Sequence, residues 1–351
     1  MRKIVILFSC FFVFALISCS QRSQYITLTG FAQGGTYTVK FNMDGVDVSP
    51  EEIRDSVDAL LTDIDNSLSG YNRKSLLSRF NAGETIVPDG LFKEIYEVAA
   101  DVYDRTGGAV DAASAPLFDI WGFGFANDTL PSDDAVRAVM QACRMKRLNK
   151  DMDGALSDDG SLNPDALLIE SGELPKLNYN AIAQGYSCDV VARYLYSVGV
   201  KDMLVDIGEI FCDGSNPSGK PWTLGIDRPV DGNNQPGAQI QGIFRAPSGP
   251  HGIVTSGNYR KFYIRDGKKY AHTVDPRTGY PVDHTLLSAT VVAPDATLAD
   301  AYATYCMVIG LDASRDFISS DPDLEACLIY DDGGVFRTWC SDGFVLESQE
   351  N

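Results

Sequence analysis

The sequence predicts an α+β fold built on a largely antiparallel sheet. Strand-like segments cluster along the chain and are interrupted by helical segments without strict alternation, which is the α+β pattern. Two short apolar stretches carry hairpin signals at their centres, Asp266-Gly267 and Asp332-Gly333-Gly334. Several helical runs begin with cap residues and stop at glycine.

Taken in order, residues 25–41 alternate as two strands broken at Gln33-Gly34-Gly35. A helix follows: Ser49 caps it, Pro50 fits its first position and Glu52 completes a capping box. Ile53, Val57, Leu60, Leu61, Ile64 and Leu68 recur at helical spacing. A second helix is expected from Leu91 to Arg105, stopped by Gly107-Gly108, and a third begins near Ser132. A central helix spans Ala181 to Val198, with strands at 202–210, 222–227 and 239–245 around it and a Pro- and Gly-rich loop at 228–238. Residues 261–270 read as a hairpin and 287–293 as a strand. Thr297 is expected to cap a helix running to Ile309; a short helix and a last hairpin close the chain.

Residues 1–18 read as a secretion leader. Arg2 and Lys3 precede an apolar run, Ile4 to Ile17, that is short for a membrane span. The run ends Leu16-Ile17-Ser18-Cys19, which resembles a bacterial lipoprotein signal in which Cys19 is lipidated. Residues 19–24 then form a tether and 25–348 the folded domain. The expected location is exported, anchored to a membrane by lipid and facing the periplasm. The formal charge is −19, and loss of Arg2 and Lys3 makes the mature chain more acidic still. Such a chain repels nucleic acid, and a phosphate ligand would need a cation or focused Arg and Lys. Of eight cysteines, Cys10 leaves with the leader and Cys19 takes lipid. The other six form no CxxC pair and no zinc spacing, and most sit in apolar surroundings. They read as small core residues, and sequence alone assigns no disulfide among them.

The densest polar run is His272-Thr273-Val274-Asp275-Pro276-Arg277-Thr278-Gly279-Tyr280. Pro276 and Gly279 make it a stiff turn that holds an imidazole, a carboxylate and a guanidinium outward. It reads either as a site for a polar or phosphorylated ligand or as an ordinary surface turn. Asp300 and Thr304 stand one helical turn apart on one face, about 6 Å along the axis. A carboxylate and a hydroxyl are too few for a calcium cage and suit Mg²⁺, which completes its shell with water and phosphate. The competing reading is a first-turn Asp followed by a Thr bonded back to its own helix. No Walker loop, GxGxxG, HExxH or GxSxG is present.

Together these segments resemble the FAD:protein FMN transferase (ApbE-like) family. The resemblance runs through Gly34-Gly35-Thr36-Tyr37, Leu68-Ser69-Gly70-Tyr71, Ser78-Arg79-Phe80-Asn81, Gly108-Ala109-Val110-Asp111, Trp121-Gly122-Phe123-Gly124, Asn180-Ala181-Ile182-Ala183-Gln184-Gly185-Tyr186 with Asp189, and Asp206-Ile207-Gly208-Glu209. It continues through Thr255-Ser256-Gly257-Asn258-Tyr259, the His272 run, and Asp300 with Thr304.

The resemblance implies two interlaced lobes with FAD in a cleft between them and Mg²⁺ at the pyrophosphate. It gives the metal to Asp300, Thr304 and a backbone carbonyl of Ala181 or Ala183. It implies attack by a threonine hydroxyl of an exported acceptor, of the redox-pump subunit type, on the FMN-side phosphorus, with release of AMP. Tyr71 would line the flavin nucleotide. Asp111, Gln184 and Ser256 belong to the nucleotide-binding segments, and Asp189 and Glu209 would accept from ribose or adenine. His272 would assist proton transfer or bond a phosphate. Arg277 would contact phosphate or brace its own turn against Asp275. Gln184 stands where the family commonly has Lys, and Ile207-Gly208 replaces its usual double glycine. FAD pyrophosphatase activity and non-catalytic flavin binding are the alternative functions.

Overall fold

The computed structural model describes residues 24–123, 130–233, 235, 237–259, 262–265 and 268–348. The leader, Cys19, most of the tether, Gly124 and the Asp266-Gly267 turn lie outside the described residues.

One sheet organises the chain. Its order is β1 (Tyr25–Ala32), β2 (Gly35–Asn42), β3 (Met203–Asp206), β4 (Ile210–Asp213), β7 (His251–Gly257), β12 (Leu286–Ala293), β13 (Glu325–Asp332) and β14 (Val335–Cys340). Every neighbouring pair in it is antiparallel. A smaller sheet joins β15 (Leu346–Glu347), β6 (Ile240–Arg245) and β5 (Thr223–Asp227). Two short hairpins follow in the chain, β8 (Phe262–Arg265) with β9 (Lys268–Ala271), and β10 (Val274–Asp275) with β11 (Tyr280–Pro281), the second formed by the His272 segment itself. The helices are α1 (Pro50–Leu68), α2 (Leu76–Asn81), α3 (Gly90–Arg105), α4 (Ala115–Ile120), α5 (Asp133–Ala142), α6 (Ala183–Ser197), α7 (Ala296–Ile309) and α8 (Leu311–Ser320). The fold is α+β, as the unalternating strand clusters predict.

The sheet is covered on both faces, and strand alternation divides its side chains between them. Ala326 and Leu328 of β13 join the core shared with α3 and α7, whereas Cys327 and Ile329 join the core shared with β5 and β6. A third core packs α1 and α6 on β1–β3. The α1 capping box forms as predicted, with Ser49 Oγ accepting from Glu52 N–H and Glu52 accepting from Ser49 N–H. The predicted α1 stripe is buried except for Leu60, which is half-buried. Among the described residues no helix is long and apolar enough to cross a membrane.

Two local expectations are corrected. Residues 202–210 are not one strand: β3 and β4 form a hairpin that turns at Ile207-Gly208-Glu209, where Gly208 has φ 93°. Thr297 is not the cap of α7. Asp295 is, its side chain accepting from Leu298 N–H at 2.7 Å, and Thr297 sits inside the first turn.

Candidate active site

The site grows from the crossing of α6 and α7. Gly185, in the first turn of α6, lets the helices touch: a Cβ there would lie 2.1 Å from the Ala296 carbonyl oxygen and 2.9 Å from Asp300 Cβ. That approach sets up two mirrored carboxylates. Asp300 Oδ2, on α7, accepts from the Gly185 N–H of α6 at 3.1 Å. Asp189, on α6, accepts from the Ala296 and Thr297 N–H groups of α7 at 2.9 and 2.8 Å, and from the Thr297 hydroxyl. Each helix start thus receives an acid from the other, where unpaired N–H groups and the helix dipole favour negative charge.

The two acids are provided for unequally. Asp189 has three donors and burial still pushes its carboxyl up to about 6. Asp300 is 4% exposed and has the single Gly185 donor among the described residues. Burial pushes its carboxyl up as well, with the Asp189 charge adding to the rise. A buried carboxylate held by one neutral donor is under-compensated.

Thr304 lies one turn further along α7, its hydroxyl 3.4 Å from Ser256 Oγ of β7. The Ala183 carbonyl accepts from Ser187 Oγ at 2.7 Å, and Ala181 is half-buried in the turn before α6. Carboxylate, hydroxyls and helix-start carbonyls around one junction are hard oxygen donors, which fit a Mg²⁺ site completed by water and phosphate. Among the described residues no group of three or more His, Cys, Asp or Glu forms a metal cage. That is compatible with a single-carboxylate site.

Gln184 reaches the β3–β4 turn: its Nε2 donates to the Ile207 carbonyl at 3.3 Å, and a Cβ on Gly208 would stand 2.5 Å from that nitrogen. The two departures from the family pattern therefore touch. Glu209 closes the same turn, half-buried, with its carbonyl accepting from Ile207 N–H and the Cys188 thiol.

The His272 segment is fixed from three sides. Buried Thr273 donates to Asn258 Oδ1 at 2.6 Å, tying the loop to the end of β7 two residues past Ser256. Trp121 Nε1 donates to the Gly279 carbonyl at 2.8 Å and its ring stacks on Tyr270. Gly279 has φ 83°, and a Cβ there would meet Met140 and Val136 of α5, so this turn position requires glycine. Arg277 braces its own turn, with Nη2 2.9 Å and Nε 3.0 Å from the Asp275 carboxylate. His272 is half-buried between β9 and β10.

Asp111 caps a 3-10 turn at Ala112–Ser114 and accepts from Ala113 and Met145 N–H at 2.9 and 3.1 Å. Burial pushes it up to about 6. Its neighbour Arg144 donates to the Pro276 and Arg277 carbonyls, so this cluster buttresses the His272 loop. Tyr71, in the connection between α1 and α2, is 67% exposed and is not a core aromatic. Sequence reasoning missed Gly185, Asn258 and Asp295 as individual contributors; Gly185, a glycine in a helical first turn, was the one readable signal.

A cleft of about 720 Å³ opens between α3, α6 and the start of α7, lined by residues that include Glu94, Arg105, Tyr186, Asp189 and Arg193. Its lining includes none of Asp300, Thr304 and Ser256. Asp300 lies instead at the α6–α7 crossing, and the Thr304 and Ser256 hydroxyls lie between α7 and β7.

The ApbE family pattern matches residues 33–328. The chain is 29% identical to the FAD:protein FMN transferase of Escherichia coli (strain K12), over 95% of each chain. It is 31% identical to that of Klebsiella pneumoniae (strain 342), over 94% of this chain and 91% of the relative. Its fold is similar to the flavin transferase ApbE from Vibrio cholerae, with TM-score 0.73 and 27% identity over 91% of this chain and 98% of that one. It is similar also to the apo flavinyl transferase ApbE of Pseudomonas stutzeri, with TM-score 0.76 and 28% identity over 91% and 95%. With the pattern spanning residues 33–328 and the fold shared over 91% of the chain, this chain belongs to the ApbE family.

Proposed function

We propose that this chain transfers the FMN moiety of FAD to a threonine hydroxyl of an exported protein acceptor, releasing AMP, with Mg²⁺ at the α6–α7 junction. The observation that carries the reading is Asp300, a buried carboxylate with one donor, beside the Thr304 and Ser256 hydroxyls and the start of α6. The names of the relatives support flavin transfer. Asp300, Thr304 and the Ala181 or Ala183 carbonyl would hold the cation. When bound, it offsets charge on the pyrophosphate and polarises a phosphoryl oxygen.

The remaining roles fall to the protein. The acceptor hydroxyl forms the new P–O bond as the bond to AMP breaks, and we assign its proton to His272, on a loop that Asn258 and Thr273 tie to the Ser256 strand. Ser256 and the α6 start receive phosphate oxygens. Tyr71 offers an aromatic face to the flavin nucleotide. Gln184 and Glu209 shape the nucleotide side through the β3–β4 turn. Asp111, Asp189 and Arg277 act by positioning: their described bonds hold helix starts and turns. The chain is further proposed to be exported and anchored through lipid on Cys19; labelling with a radiolabelled fatty acid that survives Cys19→Ala would remove that part.

The deciding experiment mixes FAD, Mg²⁺ and a threonine-bearing flavoprotein domain with the protein lacking residues 1–19. The expected result is FMN mass and in-gel fluorescence on the acceptor, lost with EDTA and with Asp300→Ala. AMP release without labelling would make the protein a pyrophosphatase. Bound FAD with neither signal would make it a binding protein.

A further inference from the structure

The edge of the large sheet carries a pair of thiols that flavin chemistry does not use. Cys327 of β13 stands directly opposite Cys340 of β14. The next pair, Ala326 and Ser341, is hydrogen-bonded, Ser341 N–H donating to the Ala326 carbonyl at 3.0 Å. Antiparallel ladders alternate, so Cys327 and Cys340 occupy the non-hydrogen-bonded position, where Cα atoms stand about 4.5 Å apart and side chains come closest. A disulfide requires a Cα separation of about 4.4–6.8 Å, so bridging these residues needs no strand movement.

Both side chains point to one face. Cys327 belongs to the core containing Trp222, Ile253 and Ile329, and Cys340 packs against it. Cys327 is fully buried, while Cys340 is half-buried on the edge strand and is the more accessible of the two. The Cys327 S–H beside it holds the Cys340 thiol below the usual thiol range. Among the described residues no other cysteine is so placed: Cys212 faces Leu204 and His251 across its ladders, and Cys143, Cys188 and Cys306 are buried elsewhere.

We propose that Cys327 and Cys340 form a cross-strand disulfide by exchange with a disulfide-bearing oxidant. The Cys340 thiolate attacks one oxidant sulfur, the oxidant S–S bond breaks, and one oxidant thiol leaves. Cys327, deprotonated in turn, attacks Cys340 Sγ; the internal S–S bond forms and the second oxidant thiol leaves. The protein loses two electrons and two protons, and the oxidant gains them. The bridge fastens edge strand β14 to β13 on the sheet face away from α7, so it acts on stability and leaves flavin transfer alone. It does not depend on the flavin reading. In a reducing compartment the pair stays as thiols.

The test exposes the folded full chain to oxidised glutathione, blocks remaining thiols with N-ethylmaleimide in denaturant, and maps peptides without reduction. The expected product is one linked peptide pair containing Cys327 and Cys340, abolished by dithiothreitol and absent from Cys340→Ala. The oxidised wild-type chain should melt at a lower temperature once dithiothreitol is added, and Cys340→Ala should show no such shift. Blocking groups on both cysteines, glutathione retained on Cys340, or Cys327 joined elsewhere would overturn the proposal. So would a dithiothreitol-dependent shift that persists in Cys340→Ala.

Discussion

Asp189 and Asp300 occupy mirrored places at one helix crossing, and the difference between them lies in how many donors each receives. Each stands four residues beyond the point where the helices touch, at Gly185 on α6 and Ala296 on α7. Each accepts from the first turn of the opposite helix. Asp189 has three donors, all from the first turn of α7. Asp300 has one among the described residues, and Thr304 stands one turn further along the same helix. Both acids are buried, at 8% and 4% exposure, yet Asp189 receives three donors and Asp300 one among the described residues; under the proposed reading Asp300 is the acid left for a cation.

The sharpest break of that comparison is Asp300→Ala. Loss of the carboxylate proposed to hold the cation should lower FMN transfer by about 10²-fold or more while leaving the melting temperature unchanged or raised, because an under-paired buried charge is removed. A variant that unfolds instead would make Asp300 a structural acid like its neighbour. Next is Gly185→Ala, which drives a methyl group into the Ala296 carbonyl. The helices must separate, at a cost of about 3 kcal/mol by urea denaturation, with activity falling alongside. An unchanged midpoint would show that the crossing is loose. Asp189→Ala comes third. It strips the start of α7 of its acceptor and should cost about 2 kcal/mol, yet the folded fraction should keep the Mg²⁺ requirement proposed for the wild type. A changed Mg²⁺ dependence, measured by transfer rate against metal concentration, would place Asp189 among the ligands.

Local signals were legible wherever the partner lies nearby in sequence. The α1 capping box, the Gly107-Gly108 stop, the β1–β2 break and the pairing of Asp300 with Thr304 on one face all come from spacings of a few residues. The site as a whole became readable only through the resemblance of many short segments, because its members come from α6, β7, the His272 loop and α7. What failed did so for a nonlocal reason. Thr297 has the chemistry of a cap, but its hydroxyl is taken by Asp189, 108 residues away in sequence, and the cap passes to Asp295. The run from Asp202 to Ile210 alternates well enough for one strand, but Gly208 turns it against Gln184. Arg277 was open between phosphate and its own turn, and Asp275 supplies the described contacts.

Asp111 gives the comparison an intermediate case and the smallest expected effect. It is buried and has two backbone donors, between the one of Asp300 and the three of Asp189. Burial raises its carboxyl to about 6, against the opposing pull of the Ala113 and Met145 N–H groups and the Arg144 charge. The folded protein therefore retains the Asp111 proton over a range in which the unfolded chain has lost it. Its contribution to stability is complete below about pH 4 and is lost as pH rises through about 6. Asp189, also raised to about 6, adds a slope of the same sign. Asp111→Asn removes one of the two titrations and keeps an acceptor for one N–H. Stability from urea denaturation between about pH 4 and pH 7 should then decline less steeply than in the wild type, by roughly 2 kcal/mol across the window. Parallel slopes would mean that Asp111 is ionised throughout, with its two N–H donors outweighing burial, and the number of donors rather than depth would then set the charge of every buried acid at this site.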